Sequence, residues 1–398
     1  MATSLPPEVI VGVLCRLTVK DLLRCRPVCR SWRSLIDGPD FIKLHLNHSM
    51  ETSSNLGLIL NSGDRELHCL DLDTLHPPLR LNYLPVVNDG DRIEILGCCN
   101  GVLALANASG LMALWNPSTR RYTKMSLSDV IESPSRAVFD FGAAGFGYDS
   151  VNDDYKLFRV FHLKDLGINR SLSEAKLYSV KAKAWKTVSD FPYHYYGYQR
   201  GNAVLANGAL HWLVGEKPEL DSLFSVVAFD LVSEQYCDIP LPGYKDKNFY
   251  ANLGELGGWL SVTKSYNPVE IWVMKEYGCK GSWTMLFSVM PTYVTGPFNY
   301  AEPVAYLKSS DQVVLDLGGE KIALYDLEKK RIKTLSIFGV PKFVEARFCV
   351  QSLVGFDGEK ATRKKKAGED GNKVKKQKQQ RGGKKRDDFL SKGFKLVL

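Results

Sequence analysis

The chain has 398 residues, of which 44% are hydrophobic and 11% aromatic. This composition is typical of proteins with a sizeable buried core and excludes a wholly disordered chain. Glu8 and Arg16 interrupt the early apolar run, and no stretch reaches the roughly 18 apolar residues of a membrane-spanning helix. We therefore expect a soluble, intracellular protein with no signal peptide and no membrane partner.

The net charge of +8 is located at the C-terminus. Residues 359–398 contain 15 Lys or Arg against five Asp or Glu, which leaves the first 358 residues with a net charge of −2. The main body is therefore nearly neutral, and the basic character belongs to the tail.

The first 48 residues predict three short helices. LPPE at residues 5–8 is typical of a helix start, since proline is tolerated in the first turn and Glu8 lies near the positive end of the helix dipole. Apolar residues then recur with helical spacing to Leu17, and Thr18 is placed to cap a second helix. Helices this short have wide apolar stripes and bury little surface alone, so the segment is expected to need a partner.

The stretch RCRPVCRSW, residues 24–32, contains the predicted start of the third helix at Pro27. On that helix Val28, Trp32 and Leu35 would share one face, opposite the arginines Arg26, Arg30 and Arg33. Pro27 places Cys25 and Cys29 on different helices, which removes the simplest thiol-site geometry. The nine cysteines are scattered and show no zinc-ligand spacing, so we expect reduced, small apolar residues and no metal.

Residues 56–357 consist of short β-type runs separated by Gly, Pro, Asn and Asp, and six pieces of this region align. The apolar anchors of the six pieces are Leu70, Trp115, Tyr178, Phe229, Trp272 and Tyr325. A small polar residue follows the anchor in five of them: Asp71, Asn116, Ser179, Asp230 and Asp326. A second large residue, here called the return residue, follows five of the anchors: Tyr122, Trp185, Tyr236, Trp283 and Ile332. Each piece therefore predicts a strand, a polar turn and a second strand.

A further apolar strand precedes five of these hairpins, often after a glycine. About four strands per ~50 residues, repeated six times, predict a kelch-like β-propeller of about six blades. A stacked β-sandwich is the alternative, although it does not explain the repeat. The fold class is thus α+β multidomain, with a small three-helix unit followed by an all-β propeller and a disordered basic tail.

Two groups of motifs in this sequence resemble known domains. LPPEVIVGVLCRLTVKDLLRCRPVCRSWRSLIDGPDFIKLHL, residues 5–46, resembles an F-box. WNPSTRRY, GFGYDSVNDDYKLFRV, ALHW and SWTMLF resemble the associated interaction domain of plant F-box proteins. RDDFLSKGFKLVL at the C-terminus is similar to the ending of the "constitutive expresser of PR genes" subgroup.

This resemblance divides the chain into an F-box over residues 1–48 and a target-binding propeller-like domain over residues 56–357. A disordered basic linker over residues 359–386 and an apolar C-terminal segment over residues 387–398 complete the division.

The resemblance implies a substrate-recognition subunit of an SCF-type (Skp–cullin–F-box) ubiquitin ligase. The F-box would dock on a Skp-type adaptor, and through it on cullin, while the propeller captures a protein target for degradation. The subgroup points to a nucleotide-binding leucine-rich-repeat immune receptor as that target, with negative regulation of defence.

The positions that match the adaptor-binding residues are Leu5, Pro6, Ile10, Leu14, Leu17, Leu22, Leu23, Val28 and Trp32. The alternative is that several of these side chains, Trp32 especially, pack only within the F-box. Thr18 stands where the family usually has proline.

In four segments that follow hairpins, a proline is followed within two residues by an aromatic residue: FPYHYYGYQRG, LPGYKDKNFYAN, MPTYVTGPFNYAEP and VPKFVE. These aromatic residues are Tyr193, Tyr244, Tyr293 and Phe343. If equivalent loops emerge at one end of the propeller, their tyrosines collect into a recognition surface, since tyrosine combines area with a polar tip. The predicted target-binding residues are Tyr193, Tyr195, Tyr196, Tyr198, Tyr244, Tyr250, Tyr293 and Tyr300. The alternative is that Pro-x-aromatic merely closes the outer strand of each blade.

Catalytic signatures are absent from the sequence: there is no G-x-S-x-G elbow, no phosphate-binding loop and no metal spacing among the seven histidines. The acidic run DSVNDDY fits a turn whose Asp149, Asp153 and Asp154 cap backbone groups. We therefore expect a non-catalytic protein without cofactors.

The basic tail supports a competing interpretation, a nucleic-acid-binding propeller protein, because clustered Lys and Arg bind phosphates. The tail has no interleaved aromatic residues for base stacking, so we do not expect nucleic acid as the partner. A nuclear-localisation signal fits the two clusters Arg363, Lys364, Lys365, Lys366 and Lys384, Lys385, Arg386. We expect the protein in nucleus and cytoplasm; a solvated spacer is the remaining alternative for the tail.

Deleting residues 360–386 tests the import signal. A fluorescently tagged deletion chain is expected to leave the nucleus, because both basic clusters are removed. An unchanged nuclear fraction, measured by imaging against the full chain, would rule out the import role.

Overall fold

The computed structural model describes residues 6–63, 66–82, 84–86, 92–125, 130, 136–165, 170–191, 194–195, 202–215, 224–243, 250–265, 268–292, 295–298, 300–307, 310–335, 339, 342–356 and 359–360. These residues belong to one structural unit, Met1–Thr362. The remainder of the predicted basic linker and the apolar C-terminal segment lie outside the described residues.

Helices come first: α1 Pro7–Cys15, α2 Val19–Cys25, α3 Arg30–Ile36 and α4 Pro39–Thr52. Pro7 occupies the first turn of α1, and Thr18 Oγ1 accepts the Asp21 N–H at 3.2 Å, which confirms both predicted starts. The 14-residue α4 adds to the three helices expected from the sequence. Across the described segments, no helix combines the length and apolarity needed to cross a membrane.

The third helix begins later than predicted. Pro27 and Val28 lie in a turn, and Cys29 is the N-cap, its Sγ accepting the Trp32 N–H at 3.4 Å. The fixed φ of proline fits a turn as well as a helix start, and the Cys29 side chain supplies the acceptor that begins the helix. The prediction that Val28 shares a helical face with Trp32 and Leu35 was therefore wrong. Cys25 ends α2 and Cys29 caps α3, so the two cysteines do not share a helical face, as predicted.

The first strands in chain order are β1 Leu56–Asn61, β2 Leu67–Asp71, β3 Leu79–Leu81, β4 Ile93–Cys99, β5 Val102–Asn107, β6 Met112–Asn116, β7 Arg121–Met125, β8 Arg136–Asp149, β9 Asp154–Asp165, β10 Arg170–Ser179, β11 Ala184–Thr187, β12 His194–Tyr195 and β13 Val204–Ala206. The series continues with β14 Ala209–Gly215, β15 Phe224–Asp230, β16 Tyr236–Ile239, β17 Tyr250–Leu256, β18 Trp259–Ser265, β19 Val269–Met274, β20 Trp283–Val289, β21 Ala301–Leu307, β22 Gln312–Leu317, β23 Lys321–Asp326, β24 Arg331–Thr334, β25 Glu345–Val350 and β26 Glu359–Lys360.

These strands form six antiparallel sheets, the blades of a β-propeller. Blades 2 to 6 are β4–β7, β8–β11, β13–β16, β17–β20 and β21–β24; β12 also pairs with β14, and β26 extends blade 2 beside β7. Blade 1 joins the two ends of the domain, because its innermost strand is β25 and its others are β1, β2 and β3.

A buried apolar cluster fills each gap between consecutive blades, including the gap between blade 6 and blade 1. Phe146 and Leu157 of blade 3 share a cluster with Leu114 of blade 2, for example, and Val314 of blade 6 shares one with Leu58 of blade 1. A ring of this kind confirms the predicted six-bladed propeller and excludes the sandwich.

The repeat anchors all occupy the third strand from the ring centre: β2, β6, β10, β15, β19 and β23. Four of them pair with the predicted return residue, as Trp115 does with Tyr122. In blade 5 Trp272 pairs with Met285, whereas Trp283 pairs with Met274. The turn between these two strands is longer and contains a 3-10 helix, Lys280–Ser282, which moves the pairing.

The polar residue that follows five of the six anchors caps the next turn. Asp71, Asn116 and Asp230 each accept two backbone N–H groups through Oδ1, for example those of Ser118 and Thr119 at 2.8 and 3.3 Å from Asn116. Asp326 Oδ1 and Ser179 Oγ each accept one. Local caps of this type explain why the sequence shows the repeat so clearly.

Between blades 4 and 5, His211 is fully buried. Its Nδ1 lies 3.2 Å from the Val204 carbonyl, which can only accept, so Nδ1 carries the proton and Nε2 accepts the Tyr277 hydroxyl at 2.7 Å. Burial lowers the pKa of His211 to about 4. The neutral ring is therefore the form that the fold stabilises.

The low pKa of His211 predicts a loss of stability in acid. Because the unfolded chain takes up this proton near pH 6.5 and the folded chain only near pH 4, His211 lowers the free energy of unfolding as pH falls between these values. From pH 7 to pH 5 the loss is roughly 2 kcal/mol. Urea unfolding of wild type and His211→Gln at pH 7 and pH 5 measures this loss. An identical pH dependence of the unfolding free energy in the two proteins would contradict the low pKa of His211.

Candidate protein-interaction surfaces

The N-terminal helices enclose their own small core. Leu14, Val19, Leu22, Ile36 and Phe41 are buried there, and Leu14 is only 1% exposed. The side chain of His45, on α4, donates through Nε2 to the Leu17 carbonyl at 2.9 Å, and burial lowers its pKa so that it stays neutral. The four helices are thus held together by apolar packing, and the His45 hydrogen bond links α4 to the loop between α1 and α2.

The predicted adaptor-binding residues fall into three groups on these helices. Leu14 and Leu22 are enclosed in the helical core, where they hold the helices together. Ile10, Leu17, Leu23 and Trp32 are partly buried against that core. Pro6 and Val28 are exposed, and Leu5 lies outside the described residues.

Two exposed valines of α1, Val9 and Val13, were not in the predicted adaptor-binding set. Val9 and Val13 lie one turn apart on the same side of α1 and are 46% and 56% exposed; Val28, which was predicted, is 63% exposed. An apolar side chain of this size in solvent is available to a partner without any rearrangement. The sequence signal was present, since the apolar stripe of α1 is too wide for one core.

The arginines around α3 are engaged within the helices. Arg26 forms an ion pair with Asp37 at 2.7 Å, and Arg33 approaches the same carboxylate at 3.8 Å. The predicted arrangement of arginines opposite Trp32 therefore serves in part to stabilise the end of α3.

The helices and the ends of the interblade connections lie at opposite ends of the ring. In an antiparallel blade, the turns from first to second and from third to fourth strand share one end. The helices enter β1, a second strand, at that end, and Lys43 of α4 contacts Asp153 in the β8–β9 turn at 2.9 Å. We call this end the helix-bearing face. Connections from an outer strand to the next blade begin and end at the opposite face.

The four Pro-x-aromatic segments are all connections of this second kind. They link β11 with β13, β16 with β17, β20 with β21 and β24 with β25. The strand order therefore brings both ends of every segment to the opposite face, as the sequence interpretation requires.

The predicted target-binding tyrosines are only partly described. Tyr195 lies in β12 and Tyr250 begins β17, but their side chains lie outside the described residues. Tyr300 is half-buried, and its carbonyl accepts the Gly318 N–H at 3.0 Å. Tyr193, Tyr196, Tyr198, Tyr244 and Tyr293 lie outside the described residues. Phe343, the aromatic residue of the last segment, is buried, so at this position the motif closes the fold.

The buried polar groups of the propeller connect its blades. Lys156 of blade 3 forms ion pairs with Asp149 at 2.9 Å and with Glu234 of blade 4 at 3.0 Å. Asp149 Oδ1 also accepts the N–H groups of Val151 and Asn152, and Asp154 Oδ1 accepts the Lys181 N–H at 2.8 Å, as predicted for these two caps. Asp153 instead accepts from the side chains of Tyr148 and Lys43. These charges are satisfied by each other and by the backbone, as buried charges must be.

The nine cysteines are all free. Burial raises the pKa of Cys69 and of Cys99 to about 12, which makes their thiols poor nucleophiles. Among the residues that the structure describes, no three His, Cys, Asp or Glu side chains are grouped to hold a metal ion.

Comparison with family models gives two matches. The family described as "F-box associated beta propeller domain" matches residues 67–354, and the one described as "F-box-like" matches residues 2–43. The first match coincides with the ring of blades and the second with the helices that carry the exposed valines.

Two relatives from Arabidopsis thaliana match along essentially the whole chain. The "F-box protein CPR1" is 33% identical over 418 aligned positions, which cover 100% of both chains. The "F-box protein At4g22390" is 30% identical over 414 positions, which cover 99% of both. Among solved structures, the one titled "Structure of YjhT" is 12% identical with a TM-score of 0.40 and covers 71% of this chain and 95% of its own. A likeness at that TM-score carries no argument about function.

Proposed function

Because the chain belongs to the F-box proteins that carry an associated β-propeller domain, we propose that it is the substrate-recognition subunit of an SCF-type ubiquitin ligase. The helices bind a Skp-type adaptor and, through it, cullin. The propeller captures a protein target, and the chemistry of ubiquitin transfer belongs to other subunits.

The exposed valines of the helices carry this proposal. A small helical unit that encloses one core and still presents Val9, Val13 and Val28 to solvent has apolar surface left for a partner. Buried apolar anchors dominate such interfaces, while charged groups at the rim mainly affect the encounter rate. The enclosed Leu14 and Leu22 then act by shaping this surface, and Val28 and the partly buried Trp32 contact the adaptor.

The opposite face supports target capture. All four connections begin and end at the face opposite the helices, and three of them contain tyrosine, so adaptor and target would bind at different ends of the ring. We propose an intracellular immune receptor of the nucleotide-binding leucine-rich-repeat class as the target, on the strength of the resemblance to the subgroup. Nuclear and cytoplasmic residence accords with the two basic clusters of the tail.

Replacing Val13 and Val28 together by Asp tests the adaptor surface. Each carboxylate would have to be desolvated in an apolar interface, so adaptor affinity should fall at least about 100-fold. The fold should be unaffected, because both side chains are exposed. Isothermal titration with a purified Skp-type adaptor gives the affinity, and circular dichroism checks the fold.

The matched control is Val151→Asp plus Val232→Asp, two exposed valines of the propeller that are 73% and 43% exposed. This control should bind the adaptor like wild type. Equal affinity of both double variants and wild type would show that the helical valines are not the docking surface.

Replacing Tyr195 and Tyr196 together by Ala tests the target surface. Loss of two aromatic anchors should reduce capture of the target at least about tenfold while adaptor binding stays unchanged. Leu75→Ala plus Val232→Ala, exposed residues of the helix-bearing face, is the control. Coprecipitation of a candidate receptor measures capture, and full retention by the tyrosine variant would refute this placement of the site.

A further inference from the structure

The segment that follows the last strand of the ring joins three parts of the molecule. Residues 351–356, here called the coupling segment, leave β25 in blade 1, pass the core of the N-terminal helices and end in blade 2. Five of these six residues are buried or half-buried, and Gly355 is exposed. The partners of the buried residues show what the segment does.

At the helices, the segment completes the core. Leu353 is 7% exposed and packs in the same cluster as Leu14, Leu22 and Phe41. The small core of the F-box helices is therefore closed by a side chain from the far end of the chain.

Asn55, between α4 and β1, ties the same region by hydrogen bonds. Its carbonyl accepts the Gln351 N–H at 2.7 Å, its Oδ1 accepts the Val19 N–H at 3.2 Å and its Nδ2 donates to Ser49 at 2.9 Å. Asn55 adopts a left-handed conformation with φ of 57°, which asparagine tolerates better than most residues. One residue thus connects α2, α4 and the coupling segment.

At blade 2, the segment is held by a buried amide. Asn116 Nδ2 lies 3.0 Å from the Ser352 carbonyl, 3.2 Å from the Ser352 hydroxyl and 2.7 Å from the Val354 carbonyl. Ser352 donates in turn to the Asn100 carbonyl at 2.6 Å. Gly101, with φ of 79°, lies so close that a Cβ there would collide with Ser352.

Asn116 differs chemically from the aspartates at the same repeat position of blades 1, 4 and 6. The corresponding turn caps Asp71, Asp230 and Asp326 can only accept hydrogen bonds when ionised, whereas an asparagine caps the turn with its oxygen and donates with its nitrogen. At this repeat position Asn116 both caps the turn, as the aspartates do, and holds the coupling segment.

We propose that Asn116, Ser352 and Leu353 are positioning residues that fix the F-box helices on the propeller at one orientation. This proposal rests on the proposed function, since a fixed orientation sets where a captured target lies relative to the transfer machinery. Orientation of reacting groups raises the rate of transfer without new contacts to either partner. The exposed Lys43–Asp153 ion pair adds little to this restraint, because surface pairs of this kind are weak.

Asn116→Asp is the sharpest variant, because it keeps the turn-capping oxygen and removes only the donor. The new carboxylate faces two carbonyl oxygens, so the coupling segment should detach. Leu353→Ala is a second variant that removes the contact at the helical end, and Leu353→Met, a volume-conserving change, should restore it.

Hydrogen exchange of the full chain provides a readout that needs no partner. Amides of α1 to α4 and of the coupling segment should exchange about tenfold faster or more in Asn116→Asp and in Leu353→Ala, with blades 4 and 5 unchanged. The matched control is Asp230→Asn, which makes the reverse change in the equivalent turn of blade 4. It should leave exchange in the helices unchanged. Unaltered helical exchange in both variants, or an equal increase in every blade, would overturn the proposal.

The functional readout separates positioning from binding. In a reconstituted ligase, Asn116→Asp should bind adaptor and target with wild-type affinities, while ubiquitin transfer to the target falls about tenfold. Faster helical exchange with an unchanged transfer rate would overturn the positioning role. If wild type binds no adaptor, the proposed function fails, and the exchange experiment still decides whether the segment holds the helices.

Discussion

Pairing of β25 with β1 is the interaction on which the rest of the structure depends. It places Cys349 opposite Gly57 and so joins the end of the domain to its beginning. Without it, blade 1 has no inner strand, and the gaps on both sides of that blade lose part of their apolar packing. Because the two strands are far apart in sequence, closing the ring carries a large loop-closure cost, which the six interblade clusters offset together.

The same closure determines where the two functional ends lie. Chain entry into β1 brings the helices to one face, and chain exit from β25 carries Leu353 back into their core. The interblade connections begin and end at the other face. This arrangement suits a receptor that holds an adaptor at one face and a target at the other, since neither partner obstructs the other.

Local signals made the helix starts, the strand repeat and the six blades readable from sequence. Thr18 and the polar residue after each anchor act within three residues of themselves, so their roles are visible in the sequence. Contacts between distant segments were not visible in this way. The core role of Leu353, the donor role of Asn116 and the exposure of Val13 beside the enclosed Leu14 depend on pairings across the whole chain. The helix α3 starts later than predicted because Pro27 lies in a turn and the Cys29 side chain caps the helix.

The central claim, adaptor docking through the N-terminal helices, is tested most directly with the wild-type chain and a purified Skp-type adaptor. Sedimentation velocity should show a one-to-one complex, and hydrogen exchange within that complex should show new protection in α1 to α3 and none at the opposite face of the propeller. Two independently sedimenting proteins, or protection confined to the propeller, would contradict the account.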